Sequence, residues 1–264
     1  MERKYEFTHE TKDRCGRTLH RIVAVRDFSN VKAGDKGGWI EKESNLSHEG
    51  NCWVYGEAMV FGGAKVSDNA KVQDNAAVFG RAQVYGDANV FGSAQVYSNA
   101  RVYDRAQVYT SAEVFHTAEV YGDAEVYCEA EVYCDARVYE HARVYDNARV
   151  RDRAKVYGNA YVHGKAKVRC LSRVFGDVDL YGNAELDGAS SVSSNRDYIV
   201  FKNWWSSGRY FTWTLSNNKW KVGCFYGTGE ELIRKAYEDS ELSGREYERI
   251  VRYVDEILKA EEGK

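Results

Sequence analysis

A six-residue alternation of hydrophobic and polar positions dominates this chain. Every sixth residue from Val54 to Val192 is Val or Leu, twenty-four in succession, and the residue four positions later is Ala in most units. Within one unit, Ala-x-Val-Tyr alternates inward small, outward polar, inward apolar and outward aromatic positions, which is the period-two pattern of a strand. The next two positions are mostly Gly, Asp, Asn, Ser or Arg, and Gly, Asn and Asp tolerate a sharp corner. Each hexad therefore predicts a four-residue strand followed by a two-residue corner.

Short-period self-similarity marks a solenoid, in which each unit buries its apolar face only against its neighbours. A helical interpretation fails because a period of six spreads apolar residues around a 3.6-residue turn. The units, such as RAQVYG and DANVFG, resemble those of the hexapeptide-repeat, left-handed parallel β-helix family. That resemblance implies three hexads per coil and residues eighteen apart stacked on neighbouring rungs, so the hexads would make about eight coils.

The predicted fold is therefore mainly β: a left-handed parallel β-helix with an N-terminal β cap and a small α+β C-terminal module. Residues 1–53 are assigned to the cap and a first coil, with a hairpin around Lys12–Arg17. Residues 40–52 already have hexad spacing, but their phase is offset by two from Val54. We assign residues 54–194 to the β-helix.

The C-terminal module, residues 195–264, is predicted to be ββαα or close to it. Two aromatic-rich stretches indicate strands, and two later stretches have the pattern of a capping box that starts a helix. These boxes run from Thr228 to Glu231 and from Ser243 to Glu246. The aromatic cluster includes Trp204 and Trp205; most of it is expected to form the module core, and the exposed remainder is a candidate partner contact.

Residues 20–60 are also similar to the corresponding part of the YdcK-like proteins, bacterial and prophage proteins labelled hexapeptide acetyltransferases. The stretch that carries this resemblance reads HRIVAVRDFSNVKAGDKGGWIEKESNLSHEGNCWVYGEA. The resemblance implies the architecture and a phage or prophage origin. The acetyltransferase label rests on fold analogy, so the chemistry is not carried over with it.

Composition predicts a reduced cytoplasmic protein, in the bacterial host cytoplasm if the chain is phage encoded. No apolar run is long enough to span a membrane, and the opening MERKYEFTHE has no signal-peptide pattern. The six cysteines include no CxxC pair, and reduced thiols are typical of the cytosol.

The position after each aliphatic residue is Tyr or Phe in most units, although a small residue is usual in the family that the repeat resembles. Three aromatic columns are expected at the strand spacing of about 4.8 Å. They consist of Tyr85, Tyr103, Tyr121, Tyr139, Tyr157 and Phe175; of Phe91, Tyr109, Tyr127 and Tyr145; and of Phe79, Tyr97, Phe115 and Tyr133. Such columns can act as stabilising ladders or as platforms on which sugars or bases stack. They can also form a protein or self-association surface, since three apolar walls exceed what monomers usually expose.

Charge changes sign along the repeat. Residues 111–140 hold eight acids and one arginine, a net charge of −7, whereas residues 141–170 hold eight cations and two acids, a net charge of +6. Cross-rung ion pairs are predicted for Glu119 with Arg137, Glu125 with Arg143, and Glu131 with Arg149. The division fits a solvated rod, an antiparallel homodimer or a charged partner. Nucleic acid is disfavoured because the acidic belt would repel phosphate.

The sequence predicts no catalytic residue and no metal site. The histidines of the repeat, His116, His141 and His163, occupy corner or outward positions, and no loop interrupts the hexads. A general base needs an orienting partner and a substrate pocket. Family acyltransferases use a histidine near a groove between subunits, so the resemblance makes His163 the candidate base if there is one.

The sequence thus predicts a non-catalytic, cofactor-free binding rod that acts through protein–protein contacts, as a homo-oligomer (dimer or trimer) with no membrane association. By analogy with prophage proteins, its target would be a host component such as an antiviral defence factor. One alternative is an acyltransferase that uses acetyl-CoA at trimer grooves. Another is a carbohydrate- or nucleotide-binding rod that uses the tyrosine columns.

Overall fold

The computed structural model describes residues 2–262, and most of them form a parallel β-helix with three faces. Strands eighteen residues apart pair in register, as Val102 pairs with Val120. The strands are two residues long, shorter than the predicted four, because the residue on each side of the central pair already leads into a corner. The flanking aromatic position still joins the ladder, since the Tyr103 N–H donates to Val120 O at 3.0 Å. The predicted fold class is confirmed.

Each face is a stack of short strands. Face 1 consists of Lys36–Ile40, Met59–Val60, Ala77–Val78, Gln95–Val96, Glu113–Val114, Glu131–Val132, Arg149–Val150, Lys167–Val168 and Glu185–Leu186. Face 2 consists of Trp53–Val54, Lys71–Val72, Asn89–Val90, Gln107–Val108, Glu125–Val126, Arg143–Val144, Tyr161–Val162 and Asp179–Leu180. Face 3 consists of Lys65–Val66, Gln83–Val84, Arg101–Val102, Glu119–Val120, Arg137–Val138, Lys155–Val156, Arg173–Val174 and Ser191–Val192.

The inward Val and Ala side chains form one continuous core along the β-helix. Corner residues adopt the left-handed backbone conformation, as at Asp104 (φ 57°) and Gly122 (φ 70°). The Asp104 carboxylate accepts a hydrogen bond from the Gly122 N–H of the next coil at 3.1 Å. The same carboxylate-to-backbone bond recurs at five other corners, so acidic corner residues join successive coils.

The N-terminal segment is an antiparallel hairpin of Tyr5–Arg14 and Arg17–Ala24 that extends the sheet of face 1. Ile40 pairs with Val60, and Leu46 bridges to Val66, twenty residues further on. Residues 40–46 therefore belong to a first coil with the two-residue offset that the sequence showed.

The C-terminal module contains four antiparallel strands, two more than predicted: Tyr198–Lys202, Tyr210–Thr214, Lys219–Val222 and Phe225–Gly227. Two helices follow, α1 (Gly229–Asp239) and α2 (Glu241–Glu262). The Thr228 capping box of α1 is confirmed. The prediction of a capping box at Ser243 is wrong, because α2 begins two residues earlier, at Glu241. Ser240 supplies the hydroxyl oxygen at this end of the helix, and it accepts a hydrogen bond from the Ser243 N–H. Within the described residues, neither helix is long and apolar enough to cross a membrane.

Ser172 is an exception within the core, because it occupies a position where the repeat places Ala. It is fully buried, and its hydroxyl has no hydrogen-bond partner among the described residues. A buried unsatisfied hydroxyl costs about 1–3 kcal/mol. We expect Ser172→Ala to raise the free energy of unfolding by about 1 kcal/mol in urea titrations. The matched control is Ser190→Ala, which should destabilise, because Ser190 Oγ donates to Asp187 O at 2.6 Å. A loss of stability in Ser172→Ala would contradict this prediction.

Candidate functional surface

The three aromatic columns form as predicted, one on each face of the rod. Successive rings lie nearly parallel, with centroids 4.9 Å apart for Tyr103 and Tyr121 and 4.8 Å apart for Tyr109 and Tyr127. The column on face 1 begins one ring earlier than predicted, because Phe61 stacks on Phe79. These contacts fix each outward ring against its neighbours on adjacent coils.

The columns are less apolar than their sequence indicates. Ring faces cover one another and the tyrosines are half-buried, so solvent meets ring edges and hydroxyl groups. Some hydroxyl groups are bound: Tyr97 Oη donates to Glu113 at 3.0 Å and Tyr109 Oη to Glu125 at 2.9 Å. Burial raises the pKa of Tyr127 to about 12. The aromatic walls therefore need no partner to cover their ring faces, because stacking already covers them.

The three predicted cross-rung ion pairs are confirmed. The nitrogen–oxygen distances are 3.1 Å for Arg137 with Glu119, 3.2 Å for Arg143 with Glu125, and 3.0 Å for Arg149 with Glu131. Glu119 also lies 3.4 Å from Arg101 on the preceding rung. The acidic belt is thus partly neutralised within the chain itself.

His163 lies in the aromatic column of face 2, stacked on Tyr145 at 4.6 Å. Its Nε2 is 2.8 Å from an Asp179 oxygen, and its Nδ1 is 3.6 Å from an Asp146 oxygen. Nε2 therefore lies within hydrogen-bond distance of a carboxylate, whereas the separation between Nδ1 and Asp146 is too long for a hydrogen bond. This arrangement explains His163 as a structural member of the column.

The two tryptophans proposed as an interface pair have different surroundings. Trp204 is 74% exposed. Trp205 packs edge-on against Tyr247, with centroids 5.0 Å apart, and belongs to the core of the C-terminal module. Only Trp204 therefore offers an open surface to a partner.

Sequence reasoning missed a groove on face 3, where the structure leaves a volume of about 740 Å³. It lies between the outward column of Arg137, Lys155 and Arg173 and the adjoining corner column that contains Arg153 and Leu171. The available signal was the recurrence of cations at a spacing of eighteen residues, which the net charge of each belt concealed. His163 lies on face 2, so the candidate base does not line this groove.

A metal centre has no support in residues 2–262, where no group of three or more His, Cys, Asp or Glu side chains could hold an ion.

The cations of the face 3 groove are the side chains best suited to bind anionic groups, including the phosphates of a coenzyme. No histidine is among the described residues that line this groove.

A family model and a curated protein show what this chain is similar to. The family model described as "YdcK Beta solenoid repeat" matches residues 82–98, one stretch within the repeats. A curated protein named "Uncharacterized acetyltransferase YdcK", from Escherichia coli (strain K12), is 54% identical over 37 residues. That match spans 14% of this chain and 11% of the relative. The resemblance to YdcK-like, hexapeptide-repeat β-helix proteins, predicted from the sequence, is therefore confirmed.

Proposed function

We propose that this protein is a non-catalytic binding rod that contacts another protein through its flat outer surface, with face 3 as the binding face. The observation that carries this proposal is the fixed geometry of the outward side chains. Tyr85, Tyr103 and Tyr121 are each held by rings on neighbouring coils. Binding to such a surface loses little side-chain entropy, and tyrosine is enriched among residues that dominate interface energies.

The target is proposed from the resemblance alone. YdcK-like proteins include prophage proteins, which is why a host component, such as an antiviral defence factor, is our preferred class of partner. Self-association into a dimer or trimer is part of the same proposal, because the rod presents repeated, matching surfaces.

Acyl transfer is the second candidate function, and the name of the YdcK relative is what favours it. Acetyl-CoA would then be the co-substrate, bound in a groove between subunits. His163 lies on face 2 and does not line the face 3 groove, whose cations are the side chains best suited to hold coenzyme phosphates, and this separation argues against the function.

The decisive experiment compares two triple variants in a capture assay from bacterial lysate, with the captured protein identified and its binding repeated with purified components. Replacing Tyr103, Tyr121 and Tyr139 by Ser should abolish capture, because it removes the centre of the column on face 3. The matched control replaces Tyr109, Tyr127 and Tyr145 on face 2, which lie in an equivalent column. Circular dichroism must show that both variants fold.

Equal loss of capture in the two folded variants would contradict the assignment to face 3. Acetyl-CoA turnover by the wild type that disappears in His163→Ala would overturn the non-catalytic proposal itself. Light scattering of the wild type at several concentrations tests the expected dimer or trimer, and a monomer throughout would remove self-association from the proposal.

A further inference from the structure

The strongest unexplained feature of the rod is a column of like charges on face 3. Arg137 pairs in register with Lys155, and Lys155 pairs in register with Arg173. Arg137 is bound to Glu119, but Lys155 and Arg173 form no ion pair among the described residues. Like charges directly opposite each other destabilise a sheet. Because Lys155 and Arg173 lie opposite each other without an acidic partner among the described residues, a ligand that neutralises them is the simplest reason for their presence.

The neighbouring corner column completes a site with both charged and apolar character. Arg153 is exposed, and Leu171 on the next coil is 51% exposed. Both line the same groove as Lys155 and Arg173. A ligand in this groove therefore meets Lys155, Arg173 and Arg153, none of which forms an ion pair among the described residues, and one accessible leucine side chain.

We propose that this groove binds an acidic, extended segment of the protein partner, with carboxylates against Lys155, Arg173 and Arg153 and an apolar side chain on Leu171. This inference rests on the proposed function and assigns the site and chemistry of the contact. The column from Arg137 to Arg173 spans two rung spacings, about 10 Å. Three to four extended residues at about 3.3 Å each cover that length.

The same groove disfavours nucleic acid. Its other end is lined by Glu119 and Asp135, which would repel a long run of phosphates. A polypeptide can place basic or neutral residues there while its acidic residues meet the cations. The exposed Leu171 side chain can pack against an apolar side chain of a polypeptide but not against a phosphate.

The probe is a fluorescein-labelled peptide in which two glutamates stand on each side of a leucine. Its binding is measured by fluorescence anisotropy at low ionic strength. The wild type should bind it, and the double variant Lys155→Gln with Arg173→Gln should bind about tenfold or more weakly. The control is Arg105→Gln, which removes an exposed arginine bound to Asp123 and should bind as the wild type does. Equal affinity in all three proteins, or stronger binding of an oligothymidylate of equal charge, would overturn the inference.

A stability measurement separates this inference from the proposed function. Relief of like-charge opposition should raise the Tm of Arg173→Gln at low salt, and added salt should reduce the gain. Arg105→Gln should not gain, because it loses an ion pair. A lower Tm for Arg173→Gln would overturn the inference and leave the binding rod intact. Failure of the lysate capture while the peptide still binds to the cations would instead count against the proposed function alone.

Discussion

The Val120→Asp variant is expected to lose the β-helix as a cooperative unit. Val120 is fully buried, and its register partners Val102 and Val138 are buried as well. A carboxyl group there would face only Val and Ala, and burying a polar group without a hydrogen bond costs several kcal/mol. Far-ultraviolet circular dichroism during urea titration should show a midpoint far below that of the wild type, or no folded baseline.

Two further variants calibrate that result. Val120→Thr keeps the shape and buries one hydroxyl, so it should cost about 1–3 kcal/mol. Gln83→Asp introduces the same carboxyl group at an exposed outward position between Lys65 and Arg101. It should change stability by no more than about 0.5 kcal/mol. Wild-type stability of Val120→Asp would contradict the inward assignment of the sixth-residue column.

Much of the fold was predictable because one period determines both burial and stacking. Alternation along the strand places Val120 inside and Glu119 and Tyr121 outside, and the eighteen-residue coil then brings each outward residue onto its neighbour. The contact of Glu119 with Arg137 and the stack of Tyr103 on Tyr121 both follow from that arithmetic.

The remaining features depend on details that the period does not determine. The bond from the Asp104 carboxylate to the Gly122 N–H requires a left-handed corner and a particular side-chain direction. The start of α2 could not be chosen from sequence, since Ser240 and Ser243 are equally good capping residues by type. The sequence shows which residues stack but not how much of each ring the stack covers, so it overstates the apolar character of the aromatic walls.

The candidate site also contains some features that the six-residue period determines and others that it does not. The sequence predicted the aromatic columns and the ion pairs, which are repeats of one contact. The surroundings of His163 were missed, because Asp146 and Asp179 lie on the coils before and after it. The count of cations over residues 141–170 included Arg153 and Lys155 but not Arg173, and it could not locate the face 3 groove, because a net charge does not show which acids lie within reach.

High pH is expected to unfold the rod through its tyrosine columns. The pKa of Tyr139 and that of Tyr127 are raised from 10.0 to about 12, first by burial and then by neighbouring tyrosines in the same column. The pKa values of Tyr97, Tyr103 and Tyr109 are raised as well. A raised folded-state pKa means that this stability is complete below the unfolded pKa and is lost as pH rises through the folded one.

Stability should therefore fall steeply between about pH 10 and pH 12. Ionisation of one ring disfavours ionisation of the next ring in an intact stack, so most tyrosines should ionise only when the stack unfolds. The pH midpoint of unfolding by circular dichroism should therefore coincide with the midpoint of tyrosinate formation by near-ultraviolet absorbance. The variant that carries both Tyr127→Phe and Tyr139→Phe keeps the stacking but removes two titrating groups, so its midpoint should move to higher pH. Independent ionisation of the tyrosines near pH 10, with the β-helix still folded, would show that the columns are too open to solvent to act as one titrating unit.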